Sequence, residues 1–218
     1  MIVTGFYSGS NRDFIKPINL DIKGSSRFSP IQAHHIYRKK VDRLLIDGIN
    51  GSKRIYIPFL KGGGGYAFQK PTQWFLKWST EAVRHYKTDE KARFQNSAYY
   101  FKEGIGLPMV RAKNSVAFLL EKRLFDQSVV GIFPHKDEDL YFLLGFLNSQ
   151  KYSQLIHQIN PTANNSANYV KKIPLEFSKA EKIKIGKITQ QLVKNPTSTR
   201  LLNHLNEFIN KCDNSTAN

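Results

Sequence analysis

The chain has 218 residues, 40% of them hydrophobic, so it is long enough to bury the core of one domain or of one domain with an appendage. It has 33 Lys plus Arg against 17 Asp plus Glu, and the formal net charge of +16 favours a polyanionic partner, with nucleic acid first. No apolar run approaches the ~20 residues of a membrane span, no secretory signal pattern is present, and the single Cys212 excludes an intrachain disulfide framework; this composition is typical of a reducing cytoplasm.

The first 135 residues are predicted to form short strands and turns. Asn50-Gly51 separates two alternating stretches, which predicts a hairpin with strands at 42–47 and 53–59. Four consecutive glycines, 62–65, predict a loop. Aromatic residues at helical spacing predict a short helix within 72–87, and the β-rich runs of 97–134 predict the remaining strands of a mixed sheet.

The rest of the chain is predicted to be mainly helical. Leucines near a 3.6-residue period predict a helix over 140–159, and a polar loop then leads to a strand at 169–177. From Ser178, which forms a capping box with Glu181, two helices separated by Asn195-Pro196 predict a helical hairpin. We therefore predict an α+β fold with a mixed-sheet domain at 1–177 and a helical tail at 178–218.

No motif for catalysis or cofactor binding is evident. The glycine run lacks the spacing of a phosphate-binding loop, and no dinucleotide fingerprint is present. The acidic cluster at 137–139 has the composition of a Mg²⁺ site in a nuclease, but its position before a helix favours interaction with the positive helix N-terminus. The chain itself is therefore predicted not to be an enzyme.

Five segments occur in the same order as in a known family. "TGFYSGSNRDFI" is similar to a T-G-x-N-x-x-F-like turn and strand, "IPFLKGGGGYAF" to a P-F-x-K-G-G segment, and "RFQNSAYYFKEGI" to a Q-N-x-x-Y-Y-F-x-x-G-I strand. "FLLGFLNSQ", followed by "INPTANN" and "KKIP", matches a helix, a polar loop and an exit strand. Together they resemble the C-terminal specificity (target recognition) domain of adenine-specific DNA methyltransferases from restriction-modification or BREX-like phage-exclusion systems.

The resemblance implies a DNA-binding module that directs a methyltransferase. The S-adenosylmethionine motif and the N-P-P-Y motif of the family's catalytic domain have no counterpart here, so S-adenosylmethionine is expected on a separate catalytic domain. The chain is expected to begin where a specificity half begins, either as a C-terminal fragment or as a separate specificity subunit. The apolar stripe of residues 178–212 is expected to pack on its own domain, to dock a methyltransferase domain or to mediate self-association.

A DNA-binding module needs cations for phosphates and forked or amide side chains for base edges. Arg12, Arg54, Arg111 and Asn114 are the predicted base-contacting residues. The full predicted DNA-binding set is Arg12, Arg38, Lys39, Lys40, Arg43, Lys53, Arg54, Lys61, Lys70, Arg93, Arg111, Lys113 and Asn114. Two alternatives remain open at this point: a non-specific nucleic-acid-binding assembly subunit, and a metal-dependent nuclease that uses Asp137 or Asp139.

Overall fold

The computed structural model describes residues 1–110, 116–162 and 164–216, with side chains to residue 212. The strands are β1 (Ile2–Thr4), β2 (Ile15–Pro17), β3 (Tyr56–Leu60), β4 (Trp74–Lys77), β5 (Ile105–Pro108), β6 (Phe118–Leu119), β7 (Leu124–Phe125) and β8 (Val129–Ile132). The α-helices are α1 (Asn11–Phe14), α2 (Thr80–Thr88), α3 (Leu140–Leu147), α4 (Gln150–Ile159), α5 (Ala167–Val170), α6 (Lys179–Lys194) and α7 (Thr199–Thr216). The predicted α+β class is confirmed.

The strands form two four-stranded sheets. The first is antiparallel with the order β1-β8-β5-β6, and the second has the order β2-β4-β3-β7, in which only β3 and β7 run parallel. One face of the first sheet packs against α3, α4, α6 and α7. The second sheet packs against α2 around the buried rings of Phe6, Trp78 and Tyr86. Each sheet thus has its own helical cover.

The predicted hairpin around Asn50-Gly51 is wrong in its first half. Residues Arg43–Leu45 form a 3₁₀ turn, in which the Asp42 carboxylate accepts the Leu44 N–H at 3.0 Å. The Trp78 indole N–H donates to the Leu45 carbonyl at 2.7 Å and ties the turn to the core. The second stretch does form β3, but its antiparallel partner is β4, because the adjacent chain is held in the turn.

Only the second part of the predicted helix over 72–87 is helical, and its first part is a strand. Trp74, Phe75 and Leu76 lie in β4, which pairs with β2 on one side and β3 on the other, so all three side chains are buried. The helix begins only after Ser79, whose hydroxyl accepts the Ala82 N–H at 3.2 Å. Aromatic spacing alone does not distinguish a strand buried on both faces from a helix.

Two further predictions need correction. The helix over 140–159 is two helices, because Ser149 caps a new one through the Tyr152 N–H at 3.1 Å. The predicted strand at 169–177 is absent: Ala167–Val170 is helical, and residues 171–177 have no regular structure. Phe177 instead packs its ring against those of Phe142 and Phe146 in α3, so its apolar surface is partly buried without strand pairing.

The helical hairpin of the tail has the predicted form. The capping box is complete, since the Ser178 hydroxyl accepts the Glu181 N–H and the Glu181 carboxylate accepts the Ser178 N–H. α6 packs closely against α3, where Gly145 leaves room for Thr189. The tail residues Ile185, Ile188, Leu192, Leu205 and Ile209 are buried in the same core as the first sheet. In the described part of the chain, no helix is both long and apolar enough to cross a membrane.

Candidate nucleic-acid interface

Segment 89–97 lies along the N-terminal segment of the chain. The Arg93 N–H donates to the Tyr7 carbonyl at 2.8 Å, and the Gln95 amide donates to the Gly5 carbonyl at 2.9 Å. Gly9 lies against the start of the same segment, since a Cβ there would stand 3.2 Å from the Ala92 nitrogen. The exposed side chains of 89–97 therefore share one edge of the molecule with those that follow Gly9.

The basic run of residues 38–43 reaches the same edge. The Arg43 guanidinium donates to the carbonyl of Ser97, at the end of segment 89–97. The exposed cations carried by these three segments, which we call the basic rim, are Arg12, Arg38, Lys39, Lys40, Arg43, Lys91 and Arg93. Six belong to the predicted set, and Lys91 is added by its position between Asp89 and Arg93.

The charges of the basic rim are largely uncompensated. Lys40 forms an exposed ion pair with Asp42 at 3.9 Å, which contributes little to stability. Throughout the described ranges, no carboxylate pairs with the other six rim cations. The same edge also carries the exposed carboxylates of Asp13 and Glu90, so the rim keeps a smaller but still net positive charge that can attract phosphates.

Lys16 adds one more cation, on the face of the second sheet that carries Tyr56. Lys16 in β2 places its ammonium 5.9 Å from the Tyr56 ring centre, and the His35 ring lies 6.3 Å from the same ring. Partial burial, His34 and Lys16 together hold the pKa of His35 below its usual value. His35 leads through two residues to Arg38. The signal for Lys16 in the sequence is its alternation with buried Ile15 and Pro17.

Lys70, a predicted DNA-binding residue, is turned inward and only 5% exposed. Its ammonium donates to the Gly63 carbonyl at 2.5 Å and lies 4.9 Å from the Tyr66 ring centre. Burial, together with the nearby Arg123 charge, lowers the pKa of Lys70 to about 8. Lys70 thus holds the glycine loop in place and is not available at the surface.

The glycine loop presents backbone N–H groups to solvent. Gly63, Gly64 and Gly65 are exposed, with φ of 82°, 85° and 67°, a region that glycine adopts without strain. In the described part of the chain these three N–H groups have no hydrogen-bond acceptor. Successive free N–H groups in a turn form a concavity suited to an anion.

A cleft of about 510 Å³ lies beside this loop. Lys61, a half-buried member of the predicted set, places its ammonium 5.0 Å from the ring centre of Trp74 and 5.9 Å from that of Phe28 in the cleft wall. Lys23 lines the cleft as well. The cleft combines cations, aromatic rings and free amides, so it is a second place where a phosphate fits.

Lys53 and Arg54 precede β3 and are not at a hairpin tip. Lys53 is exposed, whereas Arg54 is half-buried and its Nη1 is enclosed without an acceptor in the described residues. Arg54 is therefore less accessible to a base edge than the sequence suggests.

The predicted residues Arg111, Lys113 and Asn114 lie outside the described residues, but the chain on either side of them is firmly held. Val110 pairs with Asn164, and the Asn165 N–H donates to the Met109 carbonyl at 2.6 Å. On the other side, the Asn148 amide bonds both the N–H and the carbonyl of Ala117, each at 2.9 Å. Met109 and Val110 therefore lie beside the polar loop that contains Asn164.

The acidic cluster lies directly before a helix, as predicted. Asp137–Asp139 form a 3₁₀ turn that leads directly into α3. Among the described residues, no three His, Cys, Asp or Glu side chains converge as a metal site would require. The nuclease alternative remains a prediction for experiment.

The sequence matches no protein-family model and no curated protein.

Proposed function

We propose that this chain is a nucleic-acid-binding protein whose basic rim contacts the phosphate backbone. The observation that carries the proposal is the presence of seven exposed cations on three neighbouring segments, six of them without an ion-pair partner in the described residues, in a protein of net charge +16. Neutralising phosphates with such side chains releases condensed counterions, and this is the main source of affinity for DNA. The free amides and Lys61 of the glycine loop offer a further phosphate contact.

Within that class, we propose a double-stranded DNA target-recognition module that directs an adenine-specific DNA methyltransferase. The family resemblance supports this choice, and so do contacts between the segments that carry it. The Gln95 and Asn96 side chains of "RFQNSAYYFKEGI" donate to the carbonyls of Gly5 and Thr4 in "TGFYSGSNRDFI". These hydrogen bonds give a physical reason why the two motifs occur in one chain, since side chains of one motif hold the backbone of the other.

The proposed module supplies specificity and leaves chemistry to its partner. S-adenosylmethionine would bind to the partner's catalytic domain in the cytoplasm. Phosphate contacts orient a protein on DNA, whereas base edges carry the sequence. Among the predicted base-contacting residues, Arg12 on the rim is the most accessible described one.

The proposal is tested by selection from randomised duplex DNA at about 150 mM salt, where non-specific electrostatic binding is weakened. Enrichment of a motif of a few base pairs is the expected result. Binding without enrichment would favour the non-specific assembly subunit, and absence of binding at low salt would refute nucleic-acid binding altogether. Co-purification with a methyltransferase domain tests the proposed partner, and sedimentation of the purified chain tests self-association through residues 178–212.

The nuclease alternative has its own assay. Cleavage of duplex DNA that requires Mg²⁺ and is lost in Asp137→Asn or Asp139→Asn would establish it. We expect no such cleavage, because these carboxylates lie at the positive end of α3.

A further inference from the structure

Leu44 is an apolar side chain held almost entirely in solvent. It is 91% exposed, compared with 71% for Val110 and 52% for Leu20. A single exposed leucine is common on protein surfaces and needs no special reason. Two features make Leu44 different: the rigidity of its backbone and the charge around it.

The backbone on both sides of Leu44 is fixed. The Asp42 carboxylate accepts the Leu44 N–H at 3.0 Å, and the Leu45 carbonyl accepts the Trp78 indole N–H at 2.7 Å. Val41, Leu45 and Ile46 pack against the core of the second sheet. Within "VDRLLI" the other three apolar residues face inward and Leu44 alone faces outward, so the turn presents one rigid apolar side chain.

Exposed cations lie near Leu44 in the chain, and the two nearby carboxylates are paired with lysines, Asp42 with Lys40 at 3.9 Å and Asp47 with Lys87 at 2.6 Å. Arg43 precedes it and is anchored to the Ser97 carbonyl, and the exposed residues 38–40 lie a few positions earlier in the same segment. Leu44 therefore projects from the basic rim. These cations suit an anionic partner, and a duplex, which the proposed function already implies, also offers stacked bases to the leucine.

We propose that Leu44 is a wedge that inserts between stacked base pairs of a bound duplex and kinks it, an inference that rests on the proposed DNA binding. Proteins that deform DNA insert Leu, Ile, Phe, Met or Pro between base steps while neighbouring cations hold the backbone. A wedge has to keep its position against the stacking it disrupts, and the hydrogen bonds of Asp42 and Trp78 supply that rigidity. The kink makes specificity depend on base steps that unstack easily, even where no side chain reads a base edge.

The test compares the wild type with Leu44→Ala, Leu44→Met and Leu20→Ala on one duplex of about 30 base pairs. The duplex is the one most enriched by selection or, without enrichment, a mixed sequence; it carries 2-aminopurine at successive steps in one set and end-attached dyes in another. Unstacking is read from 2-aminopurine fluorescence, and bending from energy transfer at about 50 mM salt. Thermal melting shows whether each variant is folded, which is expected because both leucines are exposed.

The wild type, Leu44→Met and Leu20→Ala are expected to unstack one step and bend the duplex. Leu44→Ala is expected to lose both signals and to bind about tenfold more weakly, since most of the leucine's apolar contact is removed. Duplex binding with the same unstacking and bending in Leu44→Ala would overturn the wedge and leave DNA binding intact. If the wild type binds no duplex even at low salt, the proposed function fails and the wedge with it.

Discussion

The basic rim makes a quantitative prediction about salt. In the triple variant Arg12→Gln, Lys91→Gln and Arg93→Gln, three exposed cations without an ion-pair partner in the described residues are removed. The slope of log affinity against log salt changes by about 0.9 for each phosphate contact. If all seven rim cations contact phosphates, the slope is about −6, and the variant's slope is shallower by about 2.7.

The control removes the same charge elsewhere. Lys179, Lys187 and Lys194 are exposed on α6, and replacing all three by Gln lowers the formal net charge of +16 by the same three units. Fluorescence anisotropy on one labelled duplex between about 50 and 200 mM salt measures both slopes. Over this range, the wild type should weaken roughly 40-fold more than the rim variant, which follows from three lost phosphate contacts. Equal slopes for rim and control variants would refute a localised interface, and an unchanged slope in the rim variant would exclude phosphate contacts by these three residues.

The remaining predictions concern the fold that supports the rim. Gly145→Ala should destabilise the protein by roughly 1–3 kcal/mol in urea unfolding, because the new Cβ would stand 2.1 Å from the Thr189 hydroxyl. Adding Thr189→Ala should recover much of this loss of stability. If stability does not recover, α3 and α6 do not pack in this way. Asn148→Ala should cost on the order of 2 kcal/mol, because the buried Ala117 N–H loses its acceptor, whereas the Ala117 carbonyl keeps the Phe68 N–H as a donor. A loss near zero would contradict this anchoring role. The pKa of Lys70 is about 8 in the folded protein, below its ordinary value of 10.5, so the unfolded chain binds an extra proton between these two pH values. Wild-type stability should therefore rise with pH over that range relative to Lys70→Met, by on the order of 2 kcal/mol. Parallel pH profiles for the two proteins would show that Lys70 is not buried.

The sequence identified most of the cations of the candidate site, but it did not show which of them lie at the surface. The sequence showed cations at positions 12, 38–40, 43 and 93, and the structure links the segments that carry them through the Arg43 contact with the Ser97 carbonyl and the Arg93 N–H contact with the Tyr7 carbonyl. It gave equal weight to Lys70, which is buried under the glycine loop. A cation has the same charge in the sequence whether it faces solvent or a carbonyl, and only the surrounding fold distinguishes these cases.

The sequence by itself determined two kinds of features: those set by overall composition and those set by residues close together in the chain. The excess of positive charge, the capping box of Ser178 and Glu181, the helical hairpin and the glycine loop all depend on composition or on residues a few positions apart. The tertiary structure decided features that depend on distant partners. Residues 74–77 became a strand because β2 and β3 supply hydrogen bonds on both sides, and Leu44 faces solvent because Trp78, 34 positions later in the chain, holds the carbonyl of its neighbour. Hydrogen bonds and burial between distant segments override local spacing, since the free energy of packing a core exceeds the small preferences of single residues.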